Sequence, residues 1–159
     1  MNEGIGSTTT LVIIVVFIAF ASSYMAFNVN YTKAFRMKNK IIALYEEYNG
    51  QCGSECQGKI VEYAKSIGYN PSNSLNCSKT DINPIGNTTP SGTNKLGYYC
   101  EYKIAVDKSA AKYDAINDSK PQHYYRILTR INIRIPIIEN VLNLKALNIT
   151  GDTKAFADN

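Results

Sequence analysis

Four cysteines are the side chains in this sequence best equipped for chemistry: Cys52, Cys56, Cys77 and Cys100. An even number within a stretch of modest length reads as two disulfides formed in an oxidising compartment. Four cysteines allow three pairings. The preferred one is Cys52–Cys56 across a turn with Cys77–Cys100 tying a loop to a strand, but spacing alone does not select it. The rivals are reduced structural thiols and a zinc site. The three-residue gap of Cys52-x-x-x-Cys56 departs from the usual two-residue zinc spacing, and only one histidine, His123, is present to help. We therefore expect no metal and no cofactor.

Other reactive residue types are scattered. His123 lies beside Tyr124-Tyr125 and reads as a strand-edge histidine, since a Cys77–His123 nucleophile pair competes poorly with a disulfide. Glu46-Glu47 are adjacent, so on a helix they point about 100° apart and read as a solvated face rather than an acid–base pair. Arg126, Arg130 and Arg134 share one strand face and form the candidate partner surface, with the polar side of a half-exposed sheet as the plainer reading. The glycosylation sequons at Asn76, Asn87, Asn117 and Asn148 read as chance in an Asn-rich chain. No phosphate loop or nucleophile elbow occurs, and no catalytic residue is assigned. The net charge of +4 is spread along the chain, so no nucleic-acid stripe is expected.

The element that must carry these residues is the N-terminal segment. Gly4 to Thr32 hold no charge, and Leu11 to Ala21 are continuously apolar. Spanning a bilayer core of about 30 Å takes about 20 helical residues. Apolar residues then recur at Tyr24, Phe27, Tyr31, Ala34, Phe35, Ile41, Ile42, Leu44, Tyr45 and Tyr48, the spacing of one helical face, and no Pro or Gly intervenes before Gly50. One long helix over 7–48 is expected, transmembrane over about 8–28 and amphipathic thereafter, preceded by a short segment at 1–6. A cleaved signal would carry a basic leader, whereas Met1 to Gly6 offers only Glu3. Thr8-Thr-Thr10, Ala19, Ala21, Ser22, Ser23 and Ala26 are small enough for close helix packing, with Thr10, Ala19, Ala21, Ser22 and Ala26 the chosen contacts. Tyr24, Phe27 and Tyr31 suit the outer membrane interface. Orientation is contested: the basic residues after the span favour a cytoplasmic domain, and the cysteines favour the opposite side. The cysteines carry more weight because the basic flank belongs to a packing helix.

Residues 49–159 are expected to form one exposed α+β domain. Ser54-Glu-Cys-Gln57 fits a capping box, Ile60, Val61, Ala64 and Ile67 make a short amphipathic helix, and Gly68 stops it. Residues 69–96 read as a loop, with turn signals at Asn83-Pro84 and Pro90-Ser-Gly92. Period-two alternation then marks strands. Tyr98, Cys100, Tyr102, Ile104 and Val106 take one face of the first. Tyr125, Ile127, Thr129, Ile131, Ile133 and Ile135 take one face of the second, opposite the arginines, until Pro136. In the last strand Leu142, Leu144 and Ala146 point inward and Gly151 closes it. A helical turn at Ser109 to Tyr113 is the remaining element. The fold class is thus α+β: a long N-terminal helix roofing a small antiparallel sheet.

Arg130-Ile-Asn-Ile-Arg-Ile-Pro-Ile-Ile138, then Leu142 to Gly151-Asp-Thr153, together with the helix, resembles TadE-like minor pilins of tight-adherence systems, relatives of the type IV pilins. That resemblance implies a membrane-anchored structural subunit of a surface filament or its assembly complex, with the bilayer and other pilin-like subunits as partners through the N-terminal helix. It also implies a single-pass location with an extracytoplasmic C-terminal domain. The chain departs from the pilin pattern where Leu11 stands at the Glu position counted from Gly6. The alternative reading is a monomeric membrane-tethered binding module. No enzyme is expected.

Overall fold

A computed structural model describes residues 2–71, 75, 77, 92–106, 122–132 and 146–157. Helix α1 runs Asn2–Glu47, beginning earlier than residue 7. It passes through Asn28 to Thr32 without a break, and the Thr32 hydroxyl donates to the Asn28 carbonyl at 2.8 Å. Its end follows from two residues that tolerate positive φ. Asn49 adopts φ 50° and Gly50 φ 79°, and the Gly50 N–H returns to the Tyr45 carbonyl at 2.8 Å.

Helix α2, Ser54–Ser66, starts one residue away from the expected cap. Gly53 takes the N-cap position and supplies no side-chain bond, while Gln57 Nε2 reaches the Cys52 carbonyl at 3.4 Å. Ser54 is therefore already helical, and the capping box is not formed. The Cys52–Cys56 bridge spans this turn instead. Gly68 ends α2 as expected, with φ 62° and the Tyr69 N–H bonded to the Ala64 carbonyl.

The sheet is antiparallel: β1 (Gly92–Lys95), β2 (Tyr99–Ala105), β3 (Gln122–Asn132) and β4 (Ala146–Asp152), neighbours in that order. A two-residue β5, Phe156–Ala157, returns to the start of β3. Strand β1 lies inside the segment expected to be loop. Its Gly92 faces Tyr102 in register, and the Tyr102 ring fills the space a Cβ would need. The turn signals at Asn83-Pro84 and Pro90-Ser91, the Ser109 to Tyr113 turn, and Ile133, Arg134, Ile135, Pro136, Leu142 and Leu144 lie outside the described residues.

Both faces of the sheet are covered. The first is roofed by the second half of α1: Ala34, Met37, Ile41, Leu44 and Tyr45 pack with Tyr99, Ile127 and Ile131, joined by Cys56, Ile60 and Ala64 of α2. Burying an aliphatic side chain of this size contributes about 1.5–3 kcal/mol. The second face carries Cys100, Tyr102, Ile104 and Leu128 beneath Leu75 and Cys77.

This division corrects the phase of one strand and the cover of another. On β3 the odd residues meet the helix, as their alternation indicates. On β2 the pairing of Glu101 with Ile127 puts the odd residues on the helix side, so Cys100, Tyr102 and Ile104 face away from it. On β4, Ile149 pairs with Thr129 and packs on the helix-side core, whereas Ala146 pairs with Asn132 on the other register. The even residues of β2 are its buried set, as the alternation indicates; what the register adds is that they lie beneath Leu75 and Cys77 rather than beneath α1. Gly151 has a different job from closing the strand: a Cβ there would stand 2.8 Å from Ile42 Cδ1 and 2.9 Å from Lys38 Cδ, so α1 crosses β4 at this residue.

Candidate functional site

The helix α1 has two environments. From Thr8 to Phe20 it is exposed except at Ala19, and its apolar stretch has none of its residues buried. Exposed aliphatic and aromatic side chains run from Leu11 to Val29. Among the proposed packing residues, Thr10, Ser22 and Ala26 are exposed and Ala19 and Ala21 half-buried. Ser22 Oγ bonds the Ile18 carbonyl at 2.8 Å, and Ser23 Oγ bonds that of Ala19 at 2.7 Å. Hydroxyls satisfied by their own helix can enter an apolar phase without stranding a donor.

Above the apolar half, an aromatic file climbs one side of α1. Phe27 and Tyr31 have ring centroids 6.2 Å apart, Tyr31 and Phe35 6.3 Å, and Lys38 Nζ sits 4.4 Å from the Phe35 centroid. Lys33 leans the other way, donating to the Gly68 carbonyl at the end of α2 (3.3 Å).

A polar knot sits where α1 meets the sheet. Tyr45 Oη donates to Glu101 Oε2 at 2.7 Å and lies 3.0 Å from Tyr99 Oη, while Lys95 Nζ approaches the same carboxylate oxygen at 3.4 Å. Burial, followed by the neighbouring Tyr99 and the Glu101 charge, holds the Tyr45 phenol well above its ordinary value. Burial and the Glu101 charge push Tyr99 up to about 12. Tyr69 is similarly raised by burial to about 12; its hydroxyl donates to the Arg130 carbonyl at 3.1 Å and accepts from the Arg130 N–H at 3.1 Å. These groups stay neutral and hold strands together; none is poised to move protons near neutral pH.

The arginine ladder is engaged rather than open. Arg126 forms a two-pronged bond to Asp152 (2.6 and 2.7 Å), and Arg130 Nε donates to Asn148 Oδ1 at 2.9 Å. Each is a cross-strand pair between β3 and β4, with Leu128 buried between them. Arg134 lies outside the described residues, as do the sequons at Asn76, Asn87 and Asn117. Glu46, read as a solvated residue, accepts the Lys154 N–H at 2.8 Å and so ties the C-terminal segment to the helix. Glu47 pairs with Lys59 at 3.8 Å. The two disulfides are Cys52–Cys56 and Cys77–Cys100, with no free cysteine among the described residues.

At the end of the domain far from the apolar helix, a cleft of about 580 Å³ opens between the α1–α2 turn and β5. His123, Tyr125 and Phe156 form one wall, with ring centroids 5.2 to 6.1 Å apart, and Lys103, Lys154, Asn49 and Gln51 line the remainder. Sequence reasoning missed this site because β5 and the Glu46–Lys154 bond assemble it, and neither leaves a periodic signal. No group of side chains suited to a metal ion occurs among the described residues.

No protein-family model, curated protein or solved structure matches this chain. Its own geometry defines the class: an α+β domain built on a helix long and apolar enough to cross a membrane. Its two disulfides point to an oxidising, extracytoplasmic setting for the domain.

Proposed function

We propose that the protein is a membrane-anchored, pilin-like structural subunit, stored in the bilayer by the first half of α1 and assembled through that half with neighbouring subunits. The supporting observation is a single rod with no break, whose exposed apolar half continues directly into the half that roofs the sheet. Such a rod couples any helix–helix contact made by Ala19, Ala21, Ser22 and Ala26 rigidly to the attached domain. Small residues allow backbones to approach, which is what drives helix association in lipid.

The test is chemical crosslinking of the full chain in membranes. The unaltered chain gives a ladder of oligomers, and Ala21→Glu combined with Ser22→Gln removes it. A ladder unchanged by both substitutions sinks the assembly reading. The distal cleft favours a second reading, a monomeric tethered binding module. A chain that stays monomeric at every density, yet captures a ligand at that cleft, selects it.

A further inference from the structure

The end of the domain nearest the apolar helix can be located along the axis of α1. Strand β3 runs against the helix: Tyr125 meets Tyr45 with ring centroids 5.3 Å apart, and Thr129 Oγ1 donates to the Ala34 carbonyl at 3.1 Å. A span begun at Thr8 fills about 30 Å by Phe27, and Ala34 stands about 10 Å further along. Ile131 lies two strand residues, about 6.6 Å, back towards the apolar half. Its partner Leu147 therefore stands only about 4 Å beyond the hydrocarbon edge. The β1–β2 turn reaches a similar depth, since the Tyr69 hydroxyl bonds both the Tyr98 and Arg130 carbonyls.

This end is both oily and basic. Leu96 at the tip of that turn is 46% exposed and Leu147 37%; on the helix, Tyr31 is 44% and Phe35 41% exposed. Between Phe27 and Tyr45 the helix carries Lys33, Arg36, Lys38 and Lys40 and no carboxylate. The Lys33 bond to Gly68 brings the end of α2, with exposed Lys65, to the same level. Glu46, Glu47 and Glu55 sit at the opposite end. Exposed apolar tips ringed by cations, continuous with a membrane-crossing helix, match the layer where acyl chains meet anionic headgroups.

We propose that this end of the domain is a docking surface for anionic phospholipid headgroups of the bilayer that holds α1. Leu96 and Leu147 enter the interface, and Lys33, Arg36 and Lys65 contact the phosphates. The proposal rests on the membrane-spanning reading and adds to it: the domain sits down on the bilayer in the stored state instead of standing free on its stalk. Leaving the bilayer then requires breaking these contacts.

The chain contains no tryptophan, so single substitutions report cleanly. Full-length Leu96→Trp, Gln51→Trp and Val16→Trp are reconstituted in phosphatidylglycerol or phosphatidylcholine vesicles that carry lipids brominated close to the glycerol ester. Leu96→Trp is expected to emit to the blue and lose most of its fluorescence in the anionic vesicles; Gln51→Trp, at the far end, stays bright. Adding Lys33→Glu, Arg36→Glu and Lys65→Glu should lower the docking equilibrium constant by at least about fivefold for each cation removed. A bright Leu96→Trp beside a quenched Val16→Trp overturns docking and leaves the span standing. An unquenched Val16→Trp overturns the span itself. A Leu96→Trp that turns blue without lipid quenching, in step with protein density, assigns the surface to a second copy and overturns the lipid proposal.

Discussion

Among the described residues, the two faces of the sheet are covered by different means. On one, α1 brings Met37, Ile41, Leu44 and Tyr45 across a long sequence separation and buries a broad apolar area. On the other, the described cover is Leu75 and the Cys77–Cys100 bridge over Tyr102, Ile104 and Leu128. A helix can seal a sheet by area alone. The strap of Leu75 and Cys77 by itself offers little area, and the covalent bond helps to hold it in place while the unfolded chain carries the entropy loss.

The largest effect is expected on the helix side. Ile41→Ala removes a fully buried side chain between α1 and the sheet and should cost about 2–5 kcal/mol, read from denaturant unfolding of the micelle-held chain. A loss below about 1 kcal/mol would mean that the helix rests on the sheet without sealing it. On the strap side, Cys77→Ser with Cys100→Ser opens a bridge of sequence separation 23 and should cost about 3 kcal/mol. Amide exchange should then quicken in β2 near Tyr102 while α1 keeps its protection. Equal loosening on both faces would end the distinction.

Which cover belongs to which face was only half legible in the sequence. The rod could be read because its apolar residues repeat at one period over many turns, and β3 because its apolar and arginine positions alternate cleanly. Strand β2 also alternates cleanly, with Cys100, Tyr102 and Ile104 buried and Lys103 and Ala105 exposed, but only the Glu101–Ile127 register shows that this buried face lies away from α1. The phase of β4 was hidden because Leu142, Leu144 and Ala146 suggest the even positions while Leu147 and Ile149 suggest the odd ones, and only the pairing with β3 chooses the odd set. Strand β1 has the polar sequence Gly-Thr-Asn-Lys and owes its pairing to Tyr102 lying over Gly92. The distal cleft depends on the β3–β5 pairing and on the Glu46 carboxylate accepting the Lys154 N–H, neither of which leaves a periodic signal.

Three buried phenols on the helix side, Tyr45, Tyr69 and Tyr99, are held above their ordinary range, so alkaline pH should test that side. Tyr99 and Tyr69 titrate near 12 when folded, and Tyr45 higher, against about 10 when unfolded. Above about pH 10 the unfolded chain sheds protons that the native chain keeps, so stability is complete below 10 and falls as pH climbs towards 12. Each such phenol adds about 1.4 kcal/mol per pH unit to that slope. Tyr45→Phe should cost about 1 kcal/mol at neutral pH through the lost bond to Glu101 and should flatten the alkaline slope by one proton. An unchanged slope would place the Tyr45 hydroxyl in water.

The smallest effect belongs to the arginines beside the strap. The Arg126–Asp152 pair is two-pronged, and charge-assisted geometry of that kind usually strengthens a contact. Yet the Asp152 side chain is 41% exposed, so water and salt screen the attraction and both side chains lose freedom in making it. A double-mutant cycle of Arg126→Gln and Asp152→Asn should return a coupling of about 0.2–1 kcal/mol, shrinking in 1 M salt. A coupling several times larger, and indifferent to salt, would mean that the pair is buried under further chain. The strap side would then be sealed by area after all, and the contrast between the two faces would lose its physical basis.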